Sequence, residues 1–372
     1  MGALKSFDDP RNIPVSALPQ YKATKALDIP KEYKSDVSFW KIKNQLTHGT
    51  CCAQARSFII EAFNKKEKVD GRISARFIYG QAKKVDGFLG QGTFPAVVAK
   101  NSKSIGSVHE TVFPSDETMP YDEYVKVASD KETLDKALVF RTKDYAFVNH
   151  LNPDEIAQVI IKDGYIEATL LVGDWTKLPV KPKKRNGGTD GMHRIVIYGY
   201  KITNGKYRFY FINSWGTNWG DKGFGYFDYE DFAKVEGSMR EFIVDTDVPN
   251  EIKEEFKAKL DWPYKYFSPQ EVINLKPELI AMLDLARGYA GIPFRLNSGF
   301  RTEDNNEDVG GVKDSAHLKG LAVDIHCLSS SDRDKIIDAV KKAGFRRRGI
   351  AKTFVHVDCD TSKPQDVTWL YK

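Results

Sequence analysis

Residues 193–227 decide the fold of the first part of the chain: HRIVIYGYKITNGKYRFYFINSWGTNWGDKGFGYF. Two runs of β-branched and aromatic residues flank Asn204–Gly205, a dipeptide typical of tight hairpin turns. The pattern predicts two paired antiparallel strands. His193 opens the first strand and Asn213 ends the second, so we expect both side chains to face one cleft.

A cysteine upstream supplies a nucleophile for that cleft. Residues 49–68, GTCCAQARSFIIEAFNKKEK, carry apolar side chains at helical spacing, which predicts a helix that starts near Cys51. A helix N-terminus stabilises a thiolate, and His193 can act as its base. Asn213 can orient that imidazole, while Gln45 and the Cys51 backbone N–H can donate to an oxyanion.

The last third of the sequence holds a second set of reactive residues. It reads SAHLKGLAVDIHC at 315–327 and TFVHVDCD at 353–360. The apolar runs predict strands that bring His317, Asp324 and His356 to one cavity. Two imidazoles and one carboxylate form the open three-ligand set of a catalytic zinc. Spacing alone leaves open that they are ordinary polar residues on half-buried strands.

Composition limits the class of protein. With 372 residues, 41% hydrophobic and 12% aromatic, the chain is predicted to be globular with two cores. A net charge of +5 permits contact with an anionic bacterial wall but does not indicate nucleic-acid binding. The sequence shows neither a secretory h-region nor a long apolar run, so we expect cytoplasmic synthesis without a membrane span.

The cysteines are too few for a disulfide scaffold. Cys327 and Cys359 follow Asp324 and His356 by three residues each, so the two sulfurs could be close if those strands are neighbours. A disulfide remains open, and two thiols are favoured in a reducing cytoplasm.

Composition shifts around residues 246–268, where prolines and charges follow an aromatic, glycine-rich stretch. The predicted organisation is an N-terminal extension at 1–27, a first domain at 28–247, a linker at 248–263 and a second domain at 264–372. We expect an α+β fold, with a helical part and an antiparallel β part in the first domain and a small antiparallel sheet in the second.

Two helices are predicted in the second domain, one capped by Ser268 and one by the serines that open residues 329–345. The basic loop at 181–191, just before His193, either grips an anionic polymer or is a solvated connection.

Three motifs together resemble the papain family. KNQLTHGTCCAQA at 43–55, GMHRIVIYGY at 191–200 and FINSWGTNWGDKGFGYF at 211–227 occur in the family's order. The resemblance implies one role for each of five positions: Cys51 as nucleophile, His193 as general base and acid, Asn213 as its orienter, Gln45 as oxyanion donor and Trp215 as the ring that shields the Asn–His bond.

Two positions depart from the family pattern. Cys52 stands where the family normally has tryptophan, and His48 stands where it has a disulfide cysteine. These departures suggest a divergent, disulfide-free member.

The stretch LNSGFRTEDNNEDVGGVKDSAHLKGLAVDIH at 296–326, followed by FVHVD, resembles the zinc D-Ala-D-Ala carboxypeptidase and L,D-endopeptidase group, which shares its fold with the hedgehog signalling domain. The resemblance implies His317, Asp324 and His356 as zinc ligands. It also implies Arg301 as an anchor for a substrate carboxylate or carbonyl, with Ser315 as a nearby hydrogen-bonding group.

One position of this second resemblance does not fit. Many members have a carboxylate base three residues before the last histidine, where this chain has Thr353. Asp358 is the substitute candidate, with a simple strand-end aspartate as the alternative.

The two resemblances predict a peptidoglycan-degrading peptidase, such as a bacteriophage lysin or virion-associated hydrolase, that acts at the cell wall. In one alternative, the thiol domain processes a phage or cellular protein while the zinc domain acts on the wall. In another, the chain is a virion component with inactive, wall-binding peptidase folds. The expected partners are peptidoglycan or peptide substrates and other virion proteins.

Overall fold

A computed structural model describes residues 2–371 except 7, 8, 10, 11, 23–28, 70, 87, 89, 128, 129, 185–190, 259–263, 269 and 270. The chain forms two compact units, one made mainly of residues 10–260 and the other mainly of residues 261–372. The domain limits drawn from the sequence remain predictions. Parts of the predicted linker and of the basic loop at 181–191 lie outside the described residues.

The first unit combines helices with one large antiparallel sheet. Its helices are α1 Pro19–Lys22, α2 Cys51–Lys66, α3 Ala75–Lys83, α4 Pro95–Ser104, α5 Tyr121–Tyr124, α6 Lys131–Ala137, α7 Pro153–Asp163, α8 Tyr229–Ala233 and α9 Asn250–Ala258. Its strands are β1 Glu32–Lys34, β2 Tyr145–Val148, β3 Ile166–Leu170, β4 Val172–Asp174, β5 Lys181–Pro182, β6 His193–Thr203, β7 Lys206–Ile212, β8 Phe224–Asp228 and β9 Met239–Asp245.

The large sheet has the strand order β2-β9-β3-β6-β7-β8, with β1 paired to β6. The predicted hairpin is β6–β7. Asn204 and Gly205 both adopt positive φ, 51° and 73°, as the two central residues of such a turn require. Helix α2 packs against β6. This packing sets the start of α2 beside the start of β6, where the first reactive set lies.

The second unit places helices beside a smaller sheet. Its elements are α10 Pro277–Ala290, α11 Glu303–Asp308, α12 Ser330–Lys342, β10 Leu296–Ser298, β11 Ala322–His326, β12 Arg347–Ile350, β13 Phe354–Asp358 and β14 Val367–Leu370. The strand order is β10-β11-β13-β12-β14. A core of apolar side chains from α10, α12, β11 and β13 fills the space between the helices and the sheet.

The sheet of the second unit corrects the prediction in one respect. Strands β12 and β14 run parallel, whereas the other pairs are antiparallel, so the sheet is mixed. The predicted helix that follows Ser268 begins only at Pro277. The residue before a proline avoids helical backbone angles, which makes Pro277 a natural first helical residue.

The cysteines of the second unit are free thiols, and the expected closeness of their sulfurs is wrong. Strands β11 and β13 are antiparallel, with Asp324 opposite His356. Moving three residues along each strand therefore leads in opposite directions. The Cys327 N–H bonds Thr353 O, and the Cys359 N–H bonds Leu321 O, at opposite ends of the strand pair.

None of the helices within the described parts of the chain has the length and apolar character needed to cross a bilayer.

Candidate active site and metal centre

The first reactive set comes from the start of α2 and the hairpin. Cys51 is the first residue of α2, and His193 is the first residue of β6. His193 Nε2 donates to Asn213 Oδ1 at 2.6 Å, which leaves Nδ1 as the ring nitrogen available to the Cys51 thiol. The structure thus brings together the thiol, the imidazole and the amide in the order that thiol catalysis uses.

The two adjacent cysteines have opposite electrostatic surroundings. Burial favours the neutral thiol of Cys51, yet hydrogen bonds with Cys52 and His193 hold the pKa of Cys51 well below its usual value. Burial, together with the hydrogen bond to Cys51, raises the pKa of Cys52 well above its usual value. Because the thiolate is the nucleophilic form, these surroundings favour Cys51 as the reactive residue.

Aromatic rings enclose His193. The Trp215 ring centroid lies 4.4 Å from that of His193, with the planes 33° apart. Trp175, which sequence reasoning missed, lies 5.1 Å from His193 in an edge-on contact. Trp219 donates its indole N–H to the Trp175 carbonyl at 2.8 Å. These rings keep water from the His193–Asn213 bond, which strengthens it. A tryptophan within the turn-type stretch GDWTK was the only sequence signal for Trp175.

Gln45 lies beside the same set but is held by other partners. Its Nε2 donates to His48 O at 2.7 Å, and its Oε1 accepts from Ser214 Oγ at 2.7 Å. Its backbone N–H also donates to Ser214 O at 2.8 Å. Gln45 is therefore fixed between His48 and Ser214, the residue after Asn213.

A buried ion network, also missed from the sequence, lies behind the hairpin. The Arg194 guanidinium binds Glu167 Oε2 at 2.9 Å and Thr169 Oγ1 at 2.7 Å. Arg56 of α2 binds the other Glu167 oxygen at 2.8 Å. A buried charge has to be paired, so the network fixes β6, β3 and α2 relative to one another. Because Arg194 follows His193, it also positions the start of β6.

The second reactive set converges from β11, β13 and the loop before β11. Ligand atoms of His317, Asp324 and His356 all lie within 4.8 Å of one another, and the three residues are buried. His317 Nδ1 donates to Gly299 O at 2.6 Å, so its Nε2 faces the other two residues. That nitrogen lies 3.3 Å from His356 Nδ1 and 3.4 Å from Asp324 Oδ1.

These contacts fit a tetrahedral cation. Zinc-to-ligand bonds of about 2.0–2.2 Å give a tetrahedron whose edges are about 3.3–3.6 Å. The two His–His and His–Asp separations match those edges, while His356 Nδ1 and Asp324 Oδ1 are closer, at 2.8 Å. Burial works against ionisation of Asp324, yet hydrogen bonds from His317 and His356 hold its pKa far below the usual range. The donor set is therefore of the kind that binds zinc.

Asp358 lies behind His356, on the side away from His317. Its Oδ2 accepts from His356 Nε2 at 3.2 Å, and its Oδ1 accepts from Arg347 Nε at 2.8 Å. A carboxylate on the second nitrogen of a metal-binding histidine fixes the orientation of the ring. The geometry thus favours a positioning role for Asp358 over the predicted role of general base. Arg347, which the sequence did not single out, completes this arrangement.

Arg301 and Ser315 also lie at the second set, where each contacts a candidate ligand. Arg301 Nη2 donates to Asp324 Oδ2 at 2.6 Å, and its Nε donates to Ser298 Oγ at 2.8 Å. Ser315 Oγ accepts from the His317 backbone N–H at 3.3 Å. Arg301 is partly exposed, so its guanidinium lies between the carboxylate of Asp324 and solvent.

Two aromatic residues near the end of the chain, one in β14 and one directly after it, form one wall of this site and were not predicted. The Trp369 ring lies 5.4 Å from that of His356, and the Tyr371 ring lies 6.3 Å from it. A Cβ on Gly349 would lie 2.5 Å from the Tyr371 ring and 2.7 Å from Trp369. The glycine therefore makes room for both rings. The sequence signal for the two rings was that Trp369 and Tyr371 stand two residues apart in the terminal segment VTWLYK, as side chains on one face of a strand do.

The chain matches two families in this order. Residues 25–240 match the family described as papain family cysteine protease, and residues 227–360 match peptidase M15. The two predicted resemblances, the α+β two-domain fold and the assignment to peptidases are thereby confirmed.

Individual relatives resemble parts of the chain. Peptidase 1 of Psoroptes ovis is 50% identical over 42 residues, which span 11% of this chain and 13% of that relative's length. Xylellain, a cysteine protease from Xylella fastidiosa, superposes with a TM-score of 0.56 at 20% identity, covering 67% of this chain and 96% of xylellain. Digestive procathepsin L 3 of Tenebrio molitor gives a TM-score of 0.48 at 14% identity over 64% and 76% of the two chains.

The match to the cysteine-protease family covers more than half of the sequence, and it contains Cys51, His193 and Asn213. The chain belongs to the papain family of cysteine proteases and carries a peptidase M15 segment in its last part.

Proposed function

We propose that the chain is a peptidoglycan hydrolase with two peptide-cleaving sites, a Cys–His–Asn site in the first unit and a zinc site in the second. The observation that carries this proposal is the convergence of His317, Asp324 and His356 beside Arg301. Wall stem peptides are short and carry free carboxylates, which a guanidinium recognises well. Action at the bacterial wall, by a bacteriophage lysin or virion-associated protein, is part of the proposal.

In the first unit, Cys51 attacks the scissile carbonyl. His193, through Nδ1, takes the thiol proton and returns it to the leaving amine, while Asn213 holds the ring by accepting from Nε2. Gln45 and the Cys51 backbone N–H stabilise the oxyanion, which requires the Gln45 amide to turn from His48 O.

In the second unit, His317 Nε2, an Asp324 oxygen and His356 Nδ1 are the atoms that would hold zinc. A zinc ion bound there would supply Lewis acidity and an acidified water. Asp358 orients His356, and Arg301 contacts both Asp324 and the carboxylate side of the substrate. Ser315 keeps His317 in place through its backbone N–H.

Release of amino groups from purified peptidoglycan sacculi tests the proposal. The parent, Cys51→Ala and His317→Ala proteins are compared, each with zinc and with a chelator. We expect His317→Ala and the chelator to abolish release. If Cys51→Ala also loses release, both sites act on the wall, whereas full release by Cys51→Ala assigns the thiol site to a protein substrate. No release by the parent would contradict the proposal.

A binding role without turnover is the second candidate. Two observations favour it: Cys51 is fully buried, and Thr353 stands where many zinc members have a carboxylate base. Tight binding of the parent to sacculi without release of amino groups, under every condition above, would support this role.

A further inference from the structure

Tyr371 directly follows the last strand of the second unit and lies beside the metal set. Its backbone N–H donates to Ile350 O at 2.9 Å, which continues the pairing of β14 with β12 by one residue. Strand β12 pairs in turn with β13 and sets Gly349 opposite His356. A Cβ on Gly349 would lie 2.5 Å from the Tyr371 ring, so the tyrosine takes the space that a larger residue would fill beside His356.

Aromatic contacts fix the Tyr371 ring in this place. Its centroid lies 6.3 Å from that of His356, 5.2 Å from that of Phe354 and 6.2 Å from that of Trp369. The residue nevertheless keeps 44% of its surface exposed. The ring is therefore held against the histidine and is still accessible to a substrate at the metal set.

The hydroxyl of Tyr371, and not only its ring, lies at the metal set. Burial raises the pKa of this phenol, and a hydrogen bond with the Trp369 side chain works against that rise. The charges of Asp324, Arg301 and Asp358 also act on the pKa of the phenol. An indole N–H can only donate, so the phenol oxygen accepts from Trp369 and its own proton is left to donate.

Arg301, the cationic donor of this set, is already engaged. Its Nη2 donates to Asp324 Oδ2 at 2.6 Å, and its Nε donates to Ser298 Oγ at 2.8 Å. When water adds to a scissile carbonyl, the π electron pair of the C=O bond moves onto the oxygen, which becomes an anion. Donors that are already in place when this charge develops stabilise the transition state strongly. The free proton of Tyr371 meets this requirement.

We propose that Tyr371 is a catalytic residue of the second unit, whose hydroxyl donates a hydrogen bond to the oxyanion formed when water adds to the scissile carbonyl. The proposal rests on the proposed zinc site and adds a residue to it. The phenol keeps its proton throughout. When the C–N bond breaks, the oxyanion re-forms a carbonyl within a carboxylate, and both protons of the water end on the leaving amine.

The test compares the parent with Tyr371→Phe, which keeps the ring and removes the hydroxyl. Tyr289→Phe, at an exposed position of α10, is the matched control. Inorganic phosphate is the probe, because its tetrahedral oxygens mimic the oxyanion. Isothermal titration calorimetry measures its dissociation constant for each zinc-loaded protein, with the zinc-free proteins as background. Tyr371→Phe should weaken phosphate binding about tenfold or more, as one hydrogen bond to a charged oxygen predicts, whereas the control should match the parent.

Steady-state kinetics of amino-group release give a second reading. Tyr371→Phe should lower kcat by about 10²- to 10³-fold with little change in KM, because the hydroxyl meets the negative oxygen only in the transition state. Its zinc content should equal that of the parent.

Parent-like phosphate affinity in the zinc-loaded Tyr371→Phe protein would overturn the proposal. Loss of zinc from this variant would also overturn it, because the tyrosine would then merely support His356. Phosphate binding does not require turnover. A parent that binds phosphate but releases no amino groups would therefore contradict the proposed function, while the phosphate affinities would still decide whether the Tyr371 hydroxyl faces the oxyanion position.

Discussion

The thiol site and the metal site both contain buried histidines, but hydrogen bonds use the imidazole nitrogens differently. In the thiol site, Asn213 Oδ1 accepts a hydrogen bond from His193 Nε2 at 2.6 Å, which leaves Nδ1 of the ring for the Cys51 thiol. In the metal site, Nε2 of His317 faces Nδ1 of His356 at 3.3 Å beside the Asp324 carboxylate. The first set is made of protein atoms alone, whereas the second set brings three potential metal ligands within 4.8 Å of one another, an arrangement suited to a cation. Activity should therefore respond to different changes at the two sites.

The largest expected effect is on the thiol. Cys51→Ala should lower peptide hydrolysis by the first unit by roughly 10⁴-fold or more, because the variant lacks the sulfur proposed to form the covalent intermediate. Hydrolysis of labelled casein by the parent and variant proteins measures the effect. Cys52→Ala is the control and should keep most of the activity, since burial and Cys51 keep Cys52 in its thiol form. Equal losses in the two variants would show that the pair acts as a unit.

The next effect is on zinc. His317→Ala should reduce bound zinc from about one ion per chain to near zero, because two ligands cannot hold the ion. Mass spectrometry of the purified proteins for metal content measures it. His326→Ala, on the same strand as Asp324, should retain zinc. In both variants, Cys51 should be alkylated by iodoacetamide at the same rate as in the parent. A changed rate would show that the two sites do not act independently.

A smaller effect on zinc binding is expected for Asp358, which lies behind His356. Asp358→Asn should weaken zinc binding by about 10- to 100-fold, because the amide no longer fixes the His356 ring as a carboxylate does. Competition with a chromogenic chelator measures the affinity. The control is Asp366→Asn, which alters a carboxylate that pairs with Arg346 at the surface. An unchanged zinc affinity in Asp358→Asn would return Asp358 to the list of candidate bases.

The smallest effect is on stability and concerns Asp163, whose surroundings are opposite to those of Asp324. Asp324 faces histidines and Arg301, whereas burial together with the charges of Asp245 and Asp247 raises the pKa of Asp163 to about 7. Below about pH 3, Asp163 is protonated in both the folded and the unfolded chain. As the pH rises from about 4 to 7, the unfolded chain loses this proton first, so the folded state loses relative stability.

Asp163→Asn removes that loss. It should raise the free energy of unfolding of the first unit by about 1–2 kcal/mol at pH 8 and have little effect at pH 4, after allowance for the partial exposure of the side chain. Urea unfolding followed by tryptophan fluorescence at the two pH values measures the difference. Asp122→Asn, at an exposed position of the same unit, is the control. A larger gain at pH 4 than at pH 8 would contradict the expected sign.

Sequence reasoning located both reactive sets because their members lie at the ends of strongly patterned elements. The Asn204–Gly205 turn starts the pairing of β6 with β7, and this pairing carries His193 and Asn213 to one end of the hairpin, with one register shift between Ile197 and Gly199. The same holds for the pairing of Asp324 with His356 across β11 and β13. Local propensity and side-chain period are written in neighbouring residues, so they can be read without knowledge of the fold.

The same reasoning failed where contacts join distant parts of the chain. The Arg194–Glu167–Arg56 network, the Trp175 ring on His193 and the Arg347–Asp358 pair have no local signature, because each depends on which strands become neighbours. The parallel pairing of β14 with β12, and the opposite directions in which Cys327 and Cys359 lie, follow from strand order and direction.

The sequence by itself determined the residue types of both sites, the elements that carry them and the family of the chain. Only the tertiary structure decided that Asp358 lies behind His356 and that Tyr371 lies beside it. The physical reason is that a side chain's role depends on which face of a neighbouring element it meets. A residue near the end of the chain such as Tyr371 gains its role from Asp324 and Arg301, which are distant in sequence, and no local pattern encodes that approach.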